Sequence, residues 1–237
     1  MENIFAEFWP DDQEEDINDE EIVQAVKAMK NNKAAGVDGI AAELIKHGGQ
    51  RLQDEVIKIF KMIWAEEDIP QEWRTGIYVP IHKKNDRYVC ENYRGICLLT
   101  IGYKILSKVL CARLMPHYTR SIGEYQAGFM PSKSTIDNVF VVRQLSEKYR
   151  EYGRTAWHIF VDYRQAYDSV HRPSLWSILR QFSVPEKLVR LIQACYANSK
   201  GCVKVGGELT SEFDVDTGLR QGFPLSCMLF NTCIALE

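Results

Sequence analysis

The chain has 237 residues, 46% hydrophobic, 11% aromatic and 26% charged, with a formal net charge of −3. That length and content support one large or two small cored domains and exclude a disordered coil for the bulk of the chain. No run of about 18 apolar residues predicts a membrane span, and Met1 to Glu7 lacks the basic start and apolar stretch of a signal peptide.

Residues 1–21 hold ten acidic side chains and no Lys or Arg, which leaves 22–237 with 22 acidic and 29 basic residues, a net of +7. The head therefore reads as an acidic, solvated tail. The basic body permits a nucleic-acid partner without requiring one. From Ile17 to Lys30, Ile22, Val23, Val26 and Met29 share one helical face, predicting an amphipathic helix with Asp19 as its N-cap. Gly36-Val37-Asp38-Gly39 breaks the chain. Val56, Ile59, Phe60, Ile63 and Trp64 predict a helix from Leu52 to Ala65, and Pro70 ends that region.

Thr75 to Ile81 predicts a strand, and His82-Lys83-Lys84-Asn85-Asp86 a turn or loop. Ile101 to Met115 predicts a helix stopped by Pro116, and Ser134 to Tyr152 a helix ending at Gly153. Trp157-His158-Ile159-Phe160-Val161 is a short apolar run rich in β-formers, which predicts a buried strand. Pro173 and Pro185 each open a helix. Cys202 to Val205, Gly206-Gly207 and Phe213 to Asp216 predict a hairpin with a longer loop, and Pro224 to Leu236 a final helix.

Asp162 follows the predicted strand. A carboxylate there can hold hard Mg²⁺ or cap the next helix. Asp168, six residues on, reads as a local cap. Gly218 to Ser226 joins a strand to a helix, with Gln221 offering a donor and an acceptor and Gly222 permitting close backbone approach. Lys83, Lys84 and Arg94 form a basic cluster near a hairpin, able to grip phosphate or simply to face water. The seven cysteines lack any Cys-x-x-Cys pair and the five histidines lack metal-ligand spacing, which argues for buried thiols in a reducing compartment rather than zinc or disulfides. No Walker loop or G-x-G-x-x-G is present.

Taken in order, the strings are more specific than any one of them. Phe160-Val161-Asp162-Tyr163-Arg164-Gln165-Ala166-Tyr167-Asp168 resembles motif A of reverse transcriptases, and Gly218-Leu219-Arg220-Gln221-Gly222-Phe223-Pro224-Leu225-Ser226 resembles motif B. Gly36-Val37-Asp38-Gly39-Ile40, Val79 to Lys84, Asn92 to Ile96 and Gln126-Ala127-Gly128-Phe129 resemble the upstream blocks of the same family. The chain is similar in particular to the non-LTR (LINE-type) retrotransposon enzymes, from about residue 17 to 237. The resemblance implies an α+β fold comprising the fingers (22–153) and partial palm (154–237) of a right-hand polymerase. It implies Asp162 as a catalytic Mg²⁺ ligand and Tyr167 as a gate beneath the incoming sugar. It also implies Gln221 and Gly222 against nucleotide and template, and Arg94 with Lys83 or Lys84 on the triphosphate. The implied partners are an RNA template, a DNA primer and a deoxynucleoside triphosphate, in the nucleus or cytoplasm and without a membrane.

Departures from the pattern temper the activity. The family's motif C carries an Asp-Asp pair after motif B, whereas the Asp-Asp pair here is Asp11-Asp12, in the head. The expectation is thus a fragment lacking the motif C hairpin and thumb, with weak Mg²⁺ binding and no polymerisation alone. The alternative is a non-catalytic RNA or primer-template binding remnant retained by the host. Met130 stands where the family has a basic residue, and Cys227 where it has Pro.

Overall fold

The computed structural model describes residues 14–235. It is a mixed α+β arrangement with one sheet and eight α-helices among the described residues. Helix α1 (Asp19–Lys27) begins at Asn18, not at the predicted cap Asp19. The Asn18 side chain accepts the Glu21 N–H while the Glu21 carboxylate accepts the Asn18 N–H. This reciprocal box satisfies two amides that helix geometry leaves without partners, so it outcompetes a single acidic cap. The predicted acidic tail divides here. Residues 1–13 lie outside the described residues. Within 14–21, Ile17 is buried, and Glu14 and Glu21 both pair with Arg113.

Helix α2 (Ala42–Lys46) and helix α3 (Gln50–Glu66) follow, and α3 buries Phe60, Ile63 and Trp64 at helical spacing. Strand β1 (Thr75–His82) pairs antiparallel with β2 (Tyr93–Leu98) and parallel with β3 (Lys200–Val205). The short strands β4 (Glu208–Leu209) and β5 (Phe213–Asp214) also pair antiparallel with β3, as the predicted hairpin and longer loop require.

Helix α4 (Ile101–Ser121) is the spine of the core, with Ile105, Leu106 and Leu110 fully buried. It runs through Pro116, against the predicted stop. Proline removes one helical hydrogen bond and opposes the helix by about 3 kcal/mol. Burial of Leu114 and Tyr118 on either side of Pro116 offsets that cost, and the Asn231 amide donates to the Tyr118 hydroxyl at 2.6 Å. Helix α6 (Arg172–Gln181) carries Pro173 in its first turn, whereas Pro185 caps helix α7 (Glu186–Tyr196) from outside. Helix α8 (Pro224–Ile234) packs on α4 and α6.

Helix α5 (Thr135–Glu151) lies where a helix was predicted and is capped by the Ser134 hydroxyl, yet it buries no residue. The next segment corrects a prediction outright. Trp157 to Val161 belongs to no strand, and Trp157, Ile159, Phe160 and Val161 are exposed. β-propensity reports how a side chain packs on a paired, half-covered surface. Among the described residues no strand pairs with this run, so its composition alone does not make it one. Among the described residues no helix is long and apolar enough to cross a membrane.

Gly36 ties the early chain to this frame. A Cβ there would stand 2.5 Å from the Thr100 backbone nitrogen, so only glycine lets the Gly36–Ile40 block lie against the start of α4.

The Arg113 pairing has a pH consequence. Its hydrogen bond holds the Glu21 carboxyl below its ordinary value, against a smaller opposing effect of burial. A depressed carboxylate stabilises the fold above its unfolded pKa, and that contribution is lost as pH falls through the folded value. We predict that urea midpoints measured from pH 7 to pH 3 fall as the pH drops through the carboxylate range. Glu21→Gln should lower the midpoint at pH 7 and flatten that fall.

Candidate active site

The site is assembled from a hairpin tip, a loop and a turn. Lys83 and Lys84 follow β1, and Arg94 lies on β2 opposite Ile81; all three are exposed. The connection is closed by the Lys83 N–H donating to the Asn92 carbonyl at 2.8 Å and by the Tyr93 hydroxyl donating to the Arg87 carbonyl at 2.9 Å. The hairpin thus gathers the three cations at one tip, and among the described residues no carboxylate forms a salt bridge with them.

The turn Gly218–Gly222 enters α8 and is docked on both sides. The Leu219 N–H donates to the Tyr167 carbonyl at 2.7 Å, and the Gly218 N–H to the Val170 carbonyl at 3.0 Å. The Cys97 N–H of β2 donates to the Gln221 carbonyl at 3.3 Å, and the Gln221 side-chain amide reaches the Asp168 carboxylate at 3.4 Å. Gly218 has φ +75°, and a Cβ on it would meet the Asp168 Cα at 2.7 Å. The turn therefore joins the loop carrying Tyr167 and Asp168 to the hairpin carrying Arg94. Ile96 borders Gly222. Arg94 lies two residues along the same strand, hence on the same face and roughly 7 Å away along the backbone.

Tyr167 is half-buried and stacks on Phe230 with ring centroids 4.8 Å apart and planes at 17°. Burial, reinforced by the Cys227 thiol beside it, raises its hydroxyl well above the ordinary range, so the phenol stays protonated. Cys227, the residue in place of proline, thus lies beside the Tyr167 hydroxyl.

Asp162 lies five residues before Tyr167 in an exposed stretch without regular secondary structure. Among the described residues, no three His, Cys, Asp or Glu side chains gather in a metal-holding group. Buried thiols offer no alternative nucleophile: burial pushes Cys97 up to about 11 and Cys111 and Cys195 up to about 12.

One feature escaped the sequence reading. A cleft of about 400 Å³ opens between the end of α1, the start of α4 and the turn. Lys30, Lys33, Lys104 and Lys108 ring it, with Ile96, Gly222 and Phe223 among its walls. The Lys104 ammonium donates to the Ala34 carbonyl at 3.2 Å, and burial lowers its pKa. Its volume suits a nucleotide-sized group. The signal in sequence was slight: Lys104 and Lys108 share a helix face, but Lys30 and Lys33 are far away along the chain.

The family model for reverse transcriptase (RNA-dependent DNA polymerase) matches residues 81–235. The transposon TX1 149 kDa protein of Xenopus laevis is 28% identical over 215 residues, covering 91% of this chain and 16% of that protein. The Pol polyprotein from type-1 retrotransposable element R2 of Popillia japonica is 26% identical over 216 residues, covering 91% of this chain and 29% of its own length. The RNA-directed DNA polymerase from mobile element jockey of Drosophila funebris is 25% identical over 215 residues, covering 90% of this chain and 23% of the polymerase. The chain belongs to the reverse transcriptase family, and its relatives are proteins of non-LTR retrotransposons. It spans less than a third of the length of each of these relatives.

The Gly218 contact yields a prediction. Gly218→Ala should cost about 1–3 kcal/mol, through both left-handed backbone strain and collision with the Asp168 backbone. Gly222→Ala, also at positive φ but with no atom closer than 3.8 Å to the added carbon, should cost less. Urea unfolding of the two variants checks the order.

Proposed function

We propose that this chain supplies the nucleotide-gripping and template-gripping part of an RNA-directed DNA polymerase. The observation that carries this reading is the lysine-ringed cleft beside the Gly218–Gly222 turn. In this reading 22–153 forms the fingers and 154–237 contributes to the palm. The reaction is in-line attack of a primer 3′-hydroxyl on the α-phosphate of a deoxynucleoside triphosphate, releasing pyrophosphate.

The residues divide the work by their chemistry. Arg94 offers a planar fork to the triphosphate, and Lys83 and Lys84 add mobile point charges at the hairpin tip. Tyr167, protonated and stiffened by Phe230, presents a flat face to the sugar and leaves little room for a 2′-hydroxyl. Gln221 and the backbone at Gly222 face nucleotide and template. The cleft lysines neutralise template phosphates while its apolar wall accepts a base face.

Mg²⁺ supplies charge neutralisation and activation of the attacking oxygen when bound. The described residues do not by themselves fit such a centre, because Asp162 is one carboxylate where a hard cation takes about six oxygens. We assign Asp162 as one ligand and leave the others to groups outside the described residues. Accordingly the chain alone should bind nucleic acid before it shows primer extension.

The test is a salt series of single-stranded RNA binding. The affinity should fall linearly on a log–log plot, by about 0.7 in slope for each phosphate neutralised. Replacing Lys30, Lys33, Lys104 and Lys108 together by Ala should weaken binding and shallow that slope. A flat salt response, or a quadruple variant indistinguishable from the parent, contradicts the reading.

A further inference from the structure

Arg220 is the second residue before Gly222, yet its side chain runs away from the cleft into the core and is 2% exposed. Its Nη2 donates to the Arg74 carbonyl at 2.7 Å and to the Ser199 hydroxyl at 2.9 Å. The guanidinium carbon lies 5.0 Å from the Tyr103 ring centre and 5.9 Å from that of Tyr196. Nη1 has no hydrogen-bond partner. All these contacts are neutral: a carbonyl, a hydroxyl and two aromatic faces.

A second buried arginine works beside it. Arg172 donates to the carbonyls of Gly218, Thr217 and Tyr196 at 3.0–3.1 Å, with its guanidinium carbon 5.1 Å from the Tyr196 ring centre. Burying a cation without a counter-charge is costly, and an apolar side chain of similar length would fill the same volume without that cost. What only a planar, multidentate cation does is reach two fixed acceptors while stacking on a ring. Both acceptors of Arg220 are structural corners. Arg74 precedes β1 and Ser199 precedes β3, and the Arg74 carbonyl also takes the Lys200 N–H at 3.1 Å.

We propose that Arg220 is a positioning residue, whose buried guanidinium locks the Gly218–Gly222 turn to the starts of β1 and β3. It thereby sets where Gln221 and Gly222 meet the nucleotide. This role rests on the nucleotide reading of that turn. Arg220 itself touches no substrate. It acts through Gln221, whose carbonyl is held from the other side by the Cys97 amide and whose side chain faces Asp168.

Amide hydrogen exchange on the full chain tests the lock, with deoxynucleoside triphosphate binding on a primer-template in Mg²⁺ as the second readout. In Arg220→Met the amides of Cys97, Gly218 and Leu219 should exchange about tenfold faster, while those of α3 keep their rates. Nucleotide affinity should fall by about as much, since the loss of a competent conformation lowers apparent affinity in proportion. Arg220→Lys, which keeps a donor for the Arg74 carbonyl, should recover part of both. Ser199→Ala removes one acceptor of Arg220 together with the hydroxyl's own 2.7 Å hydrogen bond to the Tyr196 carbonyl; it should loosen the same three amides to a smaller extent, so it carries the test if Arg220→Met fails to fold. Unchanged exchange at the three amides, or a rise shared equally by α3, overturns the proposal. Local loosening in variants of a parent chain that binds no nucleotide overturns the nucleotide reading and leaves the lock standing.

Discussion

The absence of a side chain at Gly218 is the constraint on which the site depends. The backbones of two segments, some fifty residues apart in sequence, pass so closely there that a single Cβ would sit 2.7 Å from Asp168. That contact allows the Gly218 and Leu219 amides to bond to Val170 and Tyr167, and it brings Gln221 within reach of Asp168. Everything that distinguishes the site from an ordinary strand-to-helix turn follows from this approach. The acid-bearing loop, the turn and the β1–β2 hairpin become neighbours because their backbones are bonded together, and the side chains of Gln221, Arg172 and Arg220 add to that hold.

The rest of the fold serves to hold that junction still. Helix α4 passes through the core, and its surface meets α1, α7 and α8 in turn. Arg113 on α4 gathers Glu14 and Glu21 and lies over the Trp64 ring, so the acidic start of the described chain is drawn onto the helix. At the other end, Asn231 links α8 to the Tyr118 hydroxyl and the Gly128 carbonyl, which anchors the Gln126–Phe129 block to the same helix. Blocks that are separate in sequence thus share one scaffold, and each is fastened by backbone carbonyls or buried polar groups that a local substitution would leave unsatisfied.

Helices were readable from the sequence wherever one face had to be apolar. Residues 52–65 fall into this class, since periodicity and burial there express the same requirement. Failures arose where an outcome depended on a partner distant in sequence. Trp157 to Val161 has the composition of a strand, but composition cannot supply the neighbouring strand. Pro116 has the chemistry of a helix stop, but burial of Leu114 and Tyr118 outweighs it. Asp19 is a good cap in isolation and lost to Asn18, because Glu21 completes the box. In the site, the motif strings led to Tyr167, Gln221 and Gly222, which the structure brings around one turn. The lysine cleft was not readable, because it is made by residues that only the packing of α1 against α4 brings together. Arg220 stood in the motif B string with no role of its own and is one of the most buried side chains among the described residues.

The central claim is that the hairpin tip, the Tyr167 loop and the Gly218–Gly222 turn form a single nucleotide site. The most direct measurement is photo-crosslinking of an azido-deoxyadenosine triphosphate to the chain on a primer-template, with the labelled peptides identified by mass spectrometry. The account predicts label on peptides containing Arg94, Tyr167 and Gln221, all removed together by excess unmodified nucleotide. Competable label confined to peptides elsewhere, such as those of α5 or the β3–β4 turn, would contradict it.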